Sequence, residues 1–316
     1  MTLANIARSL LRFVVMLGVA SILIFMLLRA VPGDPARIAL GVTASEEDVA
    51  KLAAQLGTDR PLVVQYLDWM RGLLTGDFGV SLASKQDITP MVWDRVQVSL
   101  ILTVCAMILS LLIAIPVGTY LARRHRKVDA AVVSALTQVG IAVPSFLVGI
   151  LAVAVFSVWL GWLPANGWVP PNADFGGFIS HLILPVVALT LVQAAILTRY
   201  VRSALLEEMG KDYVRTARAV GLSTRKVLYR HALRNAALPV LTVTGLQLTS
   251  LIVGAVVIER VFAIPGIGSM LLDAVATRDL TTVQTLMMLL VVFTLAVTLL
   301  VDVLYRIIDP RLRRQA

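Results

Sequence analysis

Six long apolar runs, separated by more polar stretches, constrain this chain more than any motif in it. They lie at about 9–30, 97–122, 130–160, 181–202, 237–258 and 283–308. A helix needs about 20 apolar residues to cross the hydrocarbon core of a bilayer. In lipid only helices and closed barrels satisfy their own backbone, and continuous apolar runs of this length exclude a barrel. Of the 316 residues 58% are hydrophobic and 15% charged, with a mean hydropathy of +0.86. A water-soluble domain cannot bury that much apolar surface. The expected fold class is therefore all-α, a polytopic membrane protein with six transmembrane helices. The third run is longer than one crossing needs, so it is expected to tilt or to extend beyond the core. The first run could pass for a signal peptide. Its apolar core is long for one, and Leu28-Arg-Ala-Val-Pro32 offers no small-x-small cleavage site, so an uncleaved anchor is expected.

The basic residues orient the spans. The stretch 123–127 reads Arg-Arg-His-Arg-Lys. Residues 161–180 hold no Lys or Arg, but hold Trp162 and Trp168. From Arg199 to Asn235 there are nine Lys/Arg against Glu207, Glu208 and Asp212. The tail carries Arg306, Arg311, Arg313 and Arg314. Short cationic loops stay in the cytoplasm and aromatic residues favour the interface, so both termini are expected inside. The net charge of +9 thus reflects topology and does not indicate a nucleic-acid partner.

Three segments follow along the chain. Residues 1–30 are the N-terminus and first span, and 31–96 form an extracytoplasmic loop or small helical cap. Residues 97–316 are a five-helix core containing the basic loop 203–236. In the cap, Thr43-Ala-Ser-Glu46 has the spacing of a capping box. Val49, Leu52, Ala53 and Leu56 follow helical spacing, and Gly57 is a natural stop. Arg60-Pro61 opens a second amphipathic segment to about Leu74, broken by Gly76-Asp-Phe-Gly79. Such a cap either contacts an external partner or packs as a lid on the span ends.

Catalytic constellations are missing. There is no GxxxxGK[ST] phosphate loop and no HExxH. His125, His181 and His231 lie in different loops, and no Ser/His/Asp set can be assembled. The lone Cys105 excludes a disulfide framework and a cysteine-based metal site. The middles of the spans carry essentially no Asp, Glu, Lys or Arg, and Glu259 and Asp302 lie towards span ends. Ion-coupled transporters usually hold ionisable groups at mid-depth. Transport energy is therefore expected from elsewhere, although a secondary transporter or channel for a small polar solute stays open as the alternative. Neutral polar residues do occur in the spans. Gln138, Ser145, Gln193, Gln247 and Ser250 are candidates to line a polar path, or to act as interhelical hydrogen-bond glue with Thr242 and Thr249. Pro116, Pro144 and Gly245 loosen helices locally, and Ser250-x-x-x-Gly254 permits close helix packing.

The basic loop has helical punctuation. Asp212 can cap a helix over Tyr213–Val220 that ends at Gly221. Ser223 can cap a second helix to about Asn235, with Pro239 in the first turn of the next span. Helix, glycine turn and basic helix resemble a DNA-binding unit in isolation. Tethering to spans on both sides argues against that use. A rigid pair presenting the small residues Ala217, Ala219 and Gly221 suits a cleft on a protein partner.

The run YVRTARAVGLS…RHALRNAALPV resembles the "EAA" loop of permease subunits in bacterial binding-protein-dependent ABC importers, in its peptide-transporter version. VPGDPA (31–36), DRPLVVQYLDWMRGLLTGDFGVSL (59–82), ERVFAIPGIGSMLLDAV (259–275) and LYRIIDPRLR (304–313) resemble the same family, in order and over nearly the whole chain. The subgroup is that of peptide and nickel importers, first-permease type. The resemblance implies type I ABC importer permease architecture in the bacterial cytoplasmic membrane, with no enzymatic activity of its own. It implies coupling to ATPase subunits through Tyr213, Arg215, Thr216, Ala217, Ala219, Gly221 and Leu222. The general motif begins with Glu where this chain has Arg215, so no role for a Glu follows. Glu259, Phe262, Pro265 and Gly266 would lie at the external gate, near a docked binding protein. The implied partners are a second homologous permease, two cytosolic ATPases and an extracytoplasmic solute-binding protein. ATP and Mg would sit on the ATPases, leaving this chain without cofactor or metal. Short peptides are the implied cargo, with nickel chelates and glutathione carried by near relatives.

Overall fold

Hydropathy and helix-stop signals set most of the architecture of the computed structural model, which describes residues 3–30, 35–41 and 44–308. The helices, in order, are α1 (Leu3–Arg29), α2 (Pro35–Leu40), α3 (Glu46–Leu56), α4 (Leu62–Thr75), α5 (Thr89–Arg123), α6 (Val128–Ala142) and α7 (Ser145–Ala152). They continue with α8 (Phe175–Gly210), α9 (Asp212–Ala219), α10 (Thr224–Val227), α11 (Leu233–Val261), α12 (Ile267–Ala276) and α13 (Leu280–Ile308). Wider π-type turns extend α7 over Val153–Trp159 and join α10 to α11 over Leu228–Ala232. Among the described residues the one β contact is an isolated bridge between Val80 and Asp87.

Among the described residues five helices are long and apolar enough to span a membrane: Arg8–Arg29, Thr89–Arg123, Phe175–Gly210, Thr224–Val261 and Leu280–Tyr305. The third apolar run differs from the expected tilted span. Val128–Ala142 and Ser145–Trp159 meet at 97°. The break falls at Pro144, which has no N–H to donate and forces the preceding residue out of helical geometry. Val143 accordingly sits at φ −85°, ψ 123°. Whether the pair counts as one broken span or a re-entrant element, its bend comes from a proline that sequence alone marks only as loosening.

The helices also overrun the expected spans. Helix α8 has 36 residues, about 54 Å at 1.5 Å per residue, against a hydrocarbon core of about 30 Å. The first residues of the expected loop, 203–210, therefore lie on α8 itself, which continues beyond Arg199 and Arg202 to Gly210. The helix begun at Ser223 likewise does not stop at Asn235. It runs into α11, with Pro239 inside the helix instead of in its first turn.

One packing unit contains residues 99–265 and α13 from Val297 onward. Its centre is α8, whose buried residues run from Phe178 to Glu208 and which packs against α6, α7 and α11. Close approaches rely on missing side chains. A Cβ on Gly118 would lie 2.7 Å from Val201 Cβ and 3.0 Å from the Thr198 carbonyl oxygen. A Cβ on Gly245 would lie 2.4 Å from Val301 Cγ2 but 3.5 Å from its Cβ. Overpacking of this kind costs about 1–3 kcal/mol. Gly118→Ala and Gly245→Ala should both lower the thermal midpoint of the purified permease. Val301→Ala should restore Gly245→Ala, because the clashing methyl is removed. Val201→Ala should not restore Gly118→Ala, because the Cβ and the carbonyl remain; rescue of both would refute the backbone approach at Gly118.

The other unit contains the residues before Ser99 and 266–296. Phe78, Ile88, Val92, Ile267, Met270 and Leu286 form its buried cluster. The segment after α4 is thus packed as a lid on the beginnings of α5 and α13 and on α12. Asp279, 4% exposed, fastens it. Its carboxylate accepts from Ser81 Oγ (2.5 Å), Leu82 N (3.0 Å), Thr282 N (3.3 Å) and Thr282 Oγ1 (2.7 Å). Helix α4 lies on α1 through Phe25, whose ring meets Tyr66 edge-on at 5.5 Å and stacks on Trp69 at 6.3 Å. Ser21 Oγ and Tyr66 Oη share a 2.8 Å hydrogen bond.

The cap helices follow their local signals with one shift. Ser45, not Thr43, caps α3: its Oγ accepts from Asp48 N at 3.1 Å and donates to Asp48 Oδ2 at 2.6 Å. Thr43 lies outside the described residues, as do positions 31–34 of VPGDPA. Gly57 and Gly76 end α3 and α4 in left-handed conformation, φ 67° and 78°.

Candidate functional site: the turn between helices α8 and α10

The turn that the sequence marks as a docking element is bounded by Gly210 and Ser223. Helix α8 ends at Gly210, and Lys211 is extended at φ −73°, ψ 154°. Helix α9 starts at Asp212, with no side-chain cap from Lys211. Asp212 is therefore the first helical residue and not the cap, and it favours the helix start through its charge on the dipole. Gly221, at φ +90°, reverses the chain. Its N–H donates to Arg218 O at 2.9 Å, and Leu222 N donates to Ala217 O at 3.1 Å. Ser223 then caps α10, its Oγ accepting from Lys226 N at 3.4 Å.

Glu208 anchors this turn. It is 7% exposed at the end of α8, and it takes an ion pair from Lys211 and a 2.7 Å hydrogen bond from Tyr213 Oη. Tyr213 also hydrogen-bonds the Asn235 side chain. Burial first, then the Glu208 carboxylate, pushes the Tyr213 phenol above its ordinary pKa, so it stays a protonated donor at neutral pH. Val214 is fully buried beneath α9. Under the turn lies an apolar platform of Ala122, Val201, Leu205, Leu228, Ala232 and Ala236. Tyr213 and Val214 therefore hold the turn in place.

The outward side is left to Arg215, Thr216, Ala219 and Gly221, all exposed, with Ala217 and Leu222 half-buried. Val220, 74% exposed, stands beside Gly221 at the tip. Arg218, Arg225 and Lys226 are exposed around it. The Arg215–Asp212 pair, 3.4 Å apart and mostly solvated, stabilises little. This is an apolar knob with a cationic rim, suited to a cleft with acidic edges. Glu208 and Val220 escape sequence reasoning. The first looks like one more loop acid, while the second could have been found as the large apolar residue just before the glycine stop.

The five path candidates lie on α6, α7, α8 and α11 and differ in burial. Gln193 is buried on α8 and its Nε2 has no partner among the described residues. Ser145 follows the Pro144 break and is half-buried, as is Gln247. Gln138 is exposed, and so is Ser250, whose Oγ donates to Leu246 O in its own helix. At the opposite end of α11, Glu259 and Phe262 are each 1% exposed. Glu259 accepts from Ser99 Oγ at 2.6 Å, and the Phe262 carbonyl accepts from Gly167 N at 2.8 Å. Pro265 is half-buried. Gly266 is the buried cap of α12, its N–H donating to Ser269 Oγ at 3.1 Å. The exposed residues of this corner are Arg260 and Ala263. His/Cys/Asp/Glu groups able to hold a metal ion are absent among the described residues.

Comparison with known proteins gives a consistent result over the whole chain. The oligopeptide transport system permease protein AppB of Bacillus subtilis is 37% identical, over 97% of this chain and 98% of AppB. The glutathione transport system permease protein GsiC of Salmonella choleraesuis is 36% identical, over 98% of each chain. Among solved structures, a chain of the inward-facing MetNI methionine ABC transporter superposes with a TM-score of 0.58, covering 70% of this chain and 98% of that one at 20% identity. That match concerns the fold alone. Residues 2–103 match the N-terminal model of binding-protein-dependent transport system membrane components. Residues 114–314 match the main model, and the chain belongs to the family of binding-protein-dependent transport system inner membrane components.

Proposed function

We propose that this permease subunit forms half of the path of an importer for short peptides, with both termini in the cytoplasm. A second homologous permease supplies the other half. Two cytosolic ATPases supply the energy, and an extracytoplasmic binding protein delivers the cargo. The observation that carries this reading is the 211–223 turn: a knob at Val220, braced by Glu208 and Val214, and joined directly to two long apolar helices. Relatives named for oligopeptides and for glutathione are about equally similar to this chain. Both cargoes are short peptides with free carboxylates, and that is the class we assign. The cationic rim supports a cytoplasmic location for the turn by charge asymmetry.

A Val220→Cys variant tests the assignment. With Cys105 replaced by Ser and the new thiol labelled with a maleimide–benzophenone, it should photo-cross-link to a co-expressed ATPase subunit, and ATP should change the yield. A cysteine at exposed Trp159 should not cross-link. Absence of cross-linking from Val220→Cys in an assembled, active complex would place ATPase contact elsewhere.

A further inference from the structure

The unit containing α1, α3 and α4 holds a cavity of about 360 Å³, lined by Arg29, Gln65, Trp69, Asp77 and Gln284 among others. This volume falls within the lower part of the range of about 300–1,000 Å³ for small-molecule sites. Arg29 Nε, Trp69 Nε1 and Gln65 Oε1 are all buried and without a hydrogen-bond partner among the described residues. A buried polar atom left unsatisfied costs about 1–3 kcal/mol, so three lining one cavity call for a physical reason.

Their orientations are fixed by other contacts. Gln65 Nε2 donates to Thr58 O at 2.9 Å and to Arg60 O at 2.7 Å, which leaves Oε1 as its spare acceptor. The Trp69 ring is held by Phe25 and Tyr66, at 6.3 and 6.1 Å. Arg29 sits over the Phe25 ring at 5.1 Å and makes no ion pair among the described residues. The lining carboxylates are engaged elsewhere: Asp68 pairs with Arg60 at 3.1 Å, and Asp77 Oδ1 accepts from Gly79 N at 3.0 Å. The residues that line the cavity therefore carry two spare donors, one of them cationic, and one spare acceptor, all three closed to solvent in this structure.

We infer that this cavity is a binding site for an oxyanion with a hydrogen-bond donor beside it. The oxyanion accepts from Arg29 and Trp69, and the neighbouring N–H or O–H donates to Gln65 Oε1. Two sources share that chemistry. One is the C-terminal end of a short peptide, a carboxylate next to its amide N–H. The other is a phospholipid headgroup, a phosphate with an ammonium or hydroxyl. The inference stands on the cavity; only the peptide probe rests on the function proposed above.

The test uses the assembled permease–ATPase complex in nanodiscs, without binding protein or ATP. Dialanine and dialaninamide are titrated calorimetrically, and phospholipid retained after exhaustive delipidation is counted by native mass spectrometry. Arg29→Gln and Trp69→Phe are compared with the parent; the second keeps the ring that packs on Phe25. Binding of dialanine that weakens about tenfold in dialaninamide and in both variants identifies a peptide carboxylate. One retained phospholipid, lost in both variants, identifies a headgroup. Either result supports the site. No binding and no retention by the parent, or binding equal in parent and variants of unchanged thermal midpoint, overturns it. Loss of the proposed cargo with retention of the phospholipid would overturn the peptide reading while leaving the site standing.

Discussion

Gly221→Asp is expected to cut ATP-driven uptake into proteoliposomes to below about a tenth of the parent, with normal membrane insertion. Two costs combine. Gly221 has φ +90°, where a side chain costs about 1–2 kcal/mol in backbone strain, a five- to thirtyfold loss of the correct turn. Space inside the chain is not the constraint, because an added Cβ at Gly221 meets nothing within 4 Å. Any side chain there points outward, beside Val220, at the proposed contact with the ATPase. A carboxylate adds desolvation and repulsion against a partner selected for a cationic rim. Gly221→Ala carries the strain without the charge and should lose less. Equal losses in Ala and Asp would mean that turn geometry, and not the outward surface, is what matters. Full uptake by the Asp variant at normal abundance would remove this turn from the coupling route.

Asp279→Ala is expected to release the lid of the other unit. The carboxylate accepts four hydrogen bonds in a site 4% exposed to solvent. Hydrogen bonds to a charged group contribute about 1.5–3 kcal/mol each, and removing the acceptor leaves the Leu82 N–H and the Ser81 hydroxyl proton buried without an acceptor, although Ser81 Oγ still accepts from Ser84 N. A local loss of about 3–5 kcal/mol follows, the size seen when one member of a buried charged network is deleted. Hydrogen exchange should show it first at the Leu82 amide and then through residues 78–88, as the Phe78 and Ile88 contacts open. Asp279→Asn, which retains an acceptor, should exchange more slowly than Asp279→Ala. Unchanged protection of 78–88 in the Ala variant would show that apolar packing alone holds the lid.

Local chemistry made much of this structure legible. Gly57, Gly76 and Gly221 each end a helix where a Cβ-free residue was expected, and Ser223 caps the helix that follows. These signals act within four residues, so one sequence suffices to see them. The apolar runs marked the spans for the same reason. The bend at Pro144 was hidden because hydropathy continues unbroken across it while the hydrogen-bond ladder does not. Thr43 and Ser45 competed for one cap, and the first-turn acids favoured the later start at Glu46. Asp279 was invisible because its partner Ser81 is 198 residues away. Glu208 and Arg29 looked like ordinary boundary charges, and only burial and the set of unpaired neighbours separate them from the rest. The path candidates were chosen by polarity alone, which does not specify the face of a helix that a side chain occupies.

The long helices on either side of the 211–223 turn have a mechanical consequence. With α8 about 54 Å long, a rigid swing of about 5° at Gly210 displaces Phe175 by about 5 Å. That is comparable to the largest element shifts of switching transitions, the one-turn ratchets of about 5.4 Å. Under the proposed coupling, a stroke of small angle at the knob would be geared up into a large excursion at Phe175. Pro185, which interrupts the α8 hydrogen-bond ladder, sets where along this lever the motion is spent as bending.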